Sequence, residues 1–117
     1  MSYTLLMYSR SLSCPFVTLA KKVLDDHQIP YQEIYIDRDH EARERVLTWT
    51  GFLSVPTLVA TETGSRLPYE TPSHLPAGES PRGIDRGAMI TEPNIEQLKA
   101  WLIKHQFATE DIWEPET

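Results

Sequence analysis

The stretch Tyr3-Thr4-Leu5-Leu6-Met7-Tyr8-Ser9-Arg10-Ser11-Leu12-Ser13-Cys14-Pro15-Phe16-Val17 decides the reading of the fold. Tyr3 to Tyr8 is apolar on both faces of an extended chain, the pattern of a strand inside a sheet. Ser9 to Ser13 reads as a polar loop. Pro15 suits the first position of a helix, where its fixed φ is already helical and its missing N–H is not needed. Phe16, Leu19, Ala20, Val23 and Leu24 then recur at helical spacing, so the helix is expected to reach Asp26 and to end at Gln28-Ile29-Pro30. Cys14 thus falls at a strand-to-helix turn. A cysteine in such a place sits beside unpaired N–H groups and the positive end of the helix dipole, surroundings that favour the nucleophilic thiolate. Its sulfur is expected to be reachable from solvent.

Further along, Tyr31 to Ile36 reads as a second strand with Ile34 and Ile36 on one face, and Asp39 as the cap of a second helix. Ala42, Val46 and Trp49 form that helix's apolar face, and Gly51 is its exit. Val55 to Ala60 is a third strand opening at Pro56, where no ladder donor is required. A β-α-β opening needs a crossover, so the first two strands should run parallel. Thr61 to Gly87 holds four of the nine prolines and four of the five glycines, which makes it mostly loop, with Leu67 to Tyr69 as a short edge strand. Ala88 to Ile90 is the last strand. Thr91 to Asn94 starts a closing helix with Pro93 near its first turn and Ile95, Leu98 and Leu102 facing the core. Residues 107–117 form an acidic tail that Trp113 is placed to pin. The expectation is one α/β domain over residues 1–117: a four-stranded mixed sheet, three helices, and a long inserted loop at 61–87 between strands 3 and 4.

Composition narrows the function. A formal net charge of −6 repels phosphate backbones, so no nucleic-acid partner is expected. The early apolar stretch is far shorter than the roughly 20 residues that span a bilayer, and no basic leader precedes it, so neither membrane nor signal peptide is expected. A single cysteine allows no disulfide within the chain and is more at ease in a reducing compartment, which points to the cytoplasm. His27, His40, His74 and His105 lie without ligand spacing, and no metal site is expected.

The element order, Cys14-Pro15-Phe16-Val17 at the first helix and Ser54-Val55-Pro56 ahead of the third strand resemble the glutaredoxin family of thioredoxin-like folds, over about residues 3–60 and 88–106. The resemblance implies a thiol–disulfide oxidoreductase with Cys14 as catalytic nucleophile and glutathione as co-substrate. It implies a cis bond before Pro56 that turns the Val55 backbone toward a peptide-like ligand. Arg10, Pro15, Phe16, Val55, Pro56, Thr91 and Asn94 are the substrate-binding positions it marks, and glutathione or a glutathionylated protein is the partner.

The sequence also departs from the family pattern. Val17 replaces the second cysteine of dithiol members, so exchange must be monothiol. Ser11 stands where the family has a basic residue, with Arg10 one position farther from Cys14. Phe52 and Leu53 replace a frequent Gln-Arg pair, and Thr91-Glu92-Pro93-Asn94 replaces Gly-Gly and an acidic pair, leaving helix capping as the other role for Thr91 and Asn94. Two further readings stay open: a non-catalytic module binding a protein partner through 61–87, and an iron–sulfur cluster shared between two chains, although relatives of that kind carry Cys-Gly-Phe-Ser. In the family topology the insertion leaves the domain away from Cys14. Within it, Ser80 to Gly87 is either a binding element or a cover for a sheet edge.

Overall fold

A computed structural model of the chain describes residues 3–12, 14–76 and 78–113. Ser13 of the first loop and residues 114–117 of the acidic tail lie outside the described residues. The elements are β1 (Tyr3–Ser9), α1 (Pro15–Asp26), β2 (Gln32–Tyr35), α2 (His40–Thr50), β3 (Thr57–Glu62), β4 (Met89–Thr91) and α3 (Ile95–Lys104), followed by a 3-10 turn at Glu110–Trp113. The four strands form one sheet in the order β2-β1-β3-β4. β1 and β2 are parallel, whereas β1–β3 and β3–β4 are antiparallel. This is the thioredoxin-like arrangement, with β1 inside the sheet as its two apolar faces require. Leu5, Leu6, Met7 and Tyr8 are each at most 1% exposed. At about 1.5–3 kcal/mol for each large apolar side chain taken from water, these four residues contribute substantially to the core. Among the described residues no helix is long and apolar enough to cross a membrane.

Local chemistry explains the helix ends. The Asp39 carboxylate accepts from the Ala42 N–H, and Gly51 leaves α2 at φ 77°, in the left-handed region. Asn94 and Gln97 close a reciprocal capping box on α3. At the end of α1, the Ile29 N–H donates to Leu24 O (2.8 Å) and the Gln28 N–H to Asp25 O (3.1 Å), with Gln28 at φ 55°. This six-to-one, five-to-two pair of bonds satisfies carbonyls that the helix leaves open.

Several expected faces are rotated. The buried side of α1 is Val17, Ala20, Val23 and Leu24, while Leu19 is exposed. In α3, Trp101 joins Leu98 and Leu102 inside and Ile95 faces out. In each case the face is set by the packing of α1 against α3, which periodicity alone does not locate. In the tail, Ile112 is buried and Trp113 exposed, so the isoleucine is the anchor.

The connection between β3 and β4 also differs from expectation. β3 continues through Glu62, so the connection starts at Thr63. Leu67 to Tyr69 is not a strand; Tyr69 instead donates its N–H to Ala60 O (2.9 Å) and stacks on Tyr3 at 4.2 Å. The segment folds back onto β4, bridging Arg82 to Thr91 and Asp85 to Ile90. The buried Arg86 ties it to α2 through a hydrogen bond to Trp49 O. Gly87 O accepts from both Trp101 Nε1 (2.9 Å) and His105 Nε2 (2.7 Å). Since a carbonyl can only accept, His105 Nε2 carries the proton, and Nδ1 accepts from Tyr69 OH (3.2 Å).

Candidate active site

β1 ends at Ser9, where Ile36 donates its N–H to Ser9 O (2.8 Å), and the chain turns toward α1. The turn is pinned by Ser11, whose backbone N–H (3.1 Å) and hydroxyl both donate to Asp37. Those two donors hold the Asp37 carboxyl below its ordinary range, the hydroxyl contributing most. Cys14 follows as the N-cap of α1, in extended backbone (φ −143°, ψ 128°), with Pro15 behind it. The Cys14 side chain makes no capping hydrogen bond, and among the described residues no side chain accepts from the first N–H groups of α1.

The Val55–Pro56 peptide is cis. Cys14 Sγ lies 4.0 Å from Val55 O, which brings the first helix and the turn ahead of β3 together across the chain. Among the described residues nothing accepts from the Val55 N–H. Cys14 itself is buried, at 9% exposure, where the sequence led to the expectation of a solvent-reachable sulfur, because it belongs to the core cluster together with Val17 and Val55. Val17 is 4% exposed and sits one helical turn from Cys14, with no sulfur to offer.

The remaining expected residues separate into two groups. Phe16 is half-buried at the mouth of α1, and the Arg82 guanidinium lies over its ring at 4.9 Å. Arg82 Nε donates to Glu92 Oε2 at 3.0 Å, and Glu92 in turn donates its N–H to Pro56 O (2.8 Å). Phe52, Leu53, Ser54, Arg82 and Glu92 line a hollow of about 320 Å³ beside the Val55–Pro56 turn. The other group is turned inward or away. Thr91 is fully buried, its hydroxyl paired with Thr57 Oγ1 at 3.1 Å. The Asn94 side chain is occupied by the Gln97 N–H (2.7 Å). Arg10 is exposed and makes no hydrogen bond or ion pair among the described residues.

The insertion therefore does not leave the domain away from Cys14 along its whole length. Its Ser80–Arg82 portion returns to the rim of the site. Arg82 belongs to the Ser80–Gly87 run that the sequence offered as a binding element or an edge cover, but it was not singled out within it. The only available signal was an arginine in a Pro-Arg-Gly turn, and what places it is a bridge to Thr91 that residue spacing does not reveal.

The assembled features are a lone thiol at a helix N-terminus, a cis Val-Pro turn facing it, and a shallow hollow with one cation and one anion alongside. Such a thiol, once deprotonated, can attack a disulfide sulfur and be attacked in turn. No curated protein matches the chain. The glutaredoxin family model matches residues 5–63, a span that runs from β1 past the end of β3 and includes both Cys14 and Pro56. With the match covering half of the sequence and the sheet order agreeing, the chain belongs to the glutaredoxin family of thiol–disulfide oxidoreductases in the thioredoxin superfamily.

Proposed function

We propose that the protein catalyses monothiol, glutathione-dependent disulfide exchange at Cys14 in a reducing compartment, the cytoplasm. The observation that carries this reading is the approach of Cys14 Sγ to the backbone of the cis Val55–Pro56 turn. In the first step the Cys14 thiolate attacks the glutathionyl sulfur of a protein–glutathione mixed disulfide. The Cys14–glutathione bond forms, the substrate's S–S bond breaks, and the electron pair leaves with the substrate thiolate. In the second step a glutathione thiolate attacks the Cys14 adduct, releasing oxidised glutathione and restoring the Cys14 thiolate. With one cysteine in the chain, no internal thiol competes for the adduct.

The Val55 N–H is suited to pair with the glutathione backbone, because nothing described occupies it. The hollow beside the turn is suited to the rest of the tripeptide. The cation lining that hollow is Arg82, paired there with Glu92, and it takes the substrate-binding place that the resemblance gives to Arg10.

Oxidised glutathione added to the reduced protein is expected to give a single glutathione mass adduct, absent in Cys14→Ser and removed by excess reduced glutathione. No adduct on the folded, reduced protein would refute the assignment.

A further inference from the structure

We infer that the cavity between the end of α2 and the 67–72 segment binds a small organic carboxylate with a flat apolar body, its charged end held by Arg86. The cavity measures about 520 Å³, with Trp49, Leu67, Pro68 and Pro72 among its walls and Arg86 in its lining. It shares no residue with the hollow beside the cis turn.

Arg86 is only 8% exposed, yet no described carboxylate pairs with it. Its Nε donates to Ser73 O at 2.9 Å, and its Nη1 is taken by Trp49 O and approaches Met89 Sδ at 3.9 Å. Every one of these acceptors is neutral. Burying a guanidinium without a counter-charge is costly, and a protein ordinarily compensates it with an anion. Burial alone pulls its pKa down, with no neighbouring charge acting to restore it.

The third nitrogen, Nη2, has no acceptor among the described residues. It is not sealed in either: the one enclosed side-chain nitrogen or oxygen without a partner, among the described residues, is Arg45 Nη2. Arg86 Nη2 therefore keeps some exposure, and Arg86 is among the residues that line the cavity. Glu70 is the carboxylate on that lining, but it makes no ion pair with Arg86. Its Oε1 lies over Gly87 instead, 3.1 Å from where a Cβ on that glycine would stand.

The chemistry of the ligand follows from this inventory. One free guanidinium nitrogen satisfies a monoanion end-on, while a dianionic phosphate would meet a single cation with Glu70 close by. The tryptophan and proline walls suit an aromatic or branched apolar body.

The test uses the full ¹⁵N-labelled chain titrated with benzoate, and with benzamide as the uncharged control. Benzoate is expected to shift the Trp49 Nε1–H and Arg86 Nε–H signals saturably, and benzamide to leave them in place. Thr48 is exposed at the cavity rim, and Thr48→Glu is expected to weaken benzoate binding about tenfold through like-charge repulsion, with Thr48→Gln as its neutral control. Cys14→Ser should retain the shifts. The inference is overturned by unsaturable or absent shifts, by equal shifts from benzamide, by unchanged affinity in Thr48→Glu, or by loss of binding in Cys14→Ser.

Discussion

Arg82 covers Phe16: a side chain from the β3–β4 connection lies 4.9 Å above the ring of the residue two places after Cys14. The same guanidinium holds Glu92 at 3.0 Å, so a cation and an anion cancel at the rim of the hollow. Removing one leaves the other exposed to an incoming ligand.

For Arg82→Ala, the structural cost should stay within about 1 kcal/mol, because the arginine side chain is 61% exposed and both its ion pair and its ring contact are screened by water. The functional effect should show in charge selectivity. Alkylation of Cys14 by iodoacetate is expected to slow about twofold relative to neutral iodoacetamide, since Glu92 is left unpaired. Arg82→Lys should restore the ratio. An unchanged ratio in Arg82→Ala would separate Arg82 from the site.

Thr57 and Thr91 share a buried hydroxyl pair, and Thr57 Oγ1 also lies 2.9 Å from Ser54 O. Thr57→Val should therefore cost about 1–3 kcal/mol in urea unfolding, by leaving both Ser54 O and the Thr91 hydroxyl without a partner. Thr91→Val, which leaves the Thr57–Ser54 bond intact, should cost less than Thr57→Val and leave glutathione adduct formation unchanged. Loss of the adduct in a folded Thr91→Val would return Thr91 to the binding site.

Glu33 is the main pH-sensitive support of the β1–β2 edge. Burial raises its pKa, but hydrogen bonds from Ser9 (2.6 Å) and Lys21, with Lys21's charge, outweigh that and leave it lowered. A carboxyl depressed in the folded state stabilises above its unfolded value of about 4.3, and that support fades as pH falls through the lower folded value. Lys21 shifts the other way, upward, chiefly through its hydrogen bond with Glu33, so its share is present below about pH 10.4 and fades above it. Glu33→Gln should then cost about 1 kcal/mol at pH 7, allowing for the partly exposed lysine. The difference from the parent protein should shrink as denaturation is repeated toward pH 3. A gap that persists undiminished there would mean packing, not charge, sets the effect.

Gln28 is exposed and left-handed, at φ 55°, directly after the cap of α1. Gln28→Gly should raise stability by about 1 kcal/mol, less the entropy that glycine returns to the unfolded chain, and so raise the melting temperature. A lower melting temperature would mean that the glutamine side chain contributes more than its backbone costs.

Much of the architecture was legible because its signals are local. The apolar run of β1, Pro15 behind Cys14, Asp39 and Gly51 bounding α2, and Val55-Pro56 ahead of β3 each act within a few residues. The place of the cysteine was identifiable for the same reason, whereas the cis bond before Pro56 was an implication of the family resemblance. Which face of α1 is buried was not: Val17 and Leu19 are both apolar, and the choice depends on a helix distant in sequence. Arg82 was legible only as part of the Ser80–Gly87 run, because its place depends on an isolated bridge to Thr91. Leu67 to Tyr69 reads as extended but gains only one backbone bond to the sheet, from Tyr69 to Ala60.

The bridges from Arg82 and Asp85 to β4 have a consequence for self-association. A bare outer strand is a template on which another molecule can add its own, the first step toward filaments. Here that flank is occupied by the chain's own backbone, so growth of the sheet is blocked on one side. Polymerisation by strand addition would have to begin at β2, where Glu33 and Lys21 place charge at the point of entry.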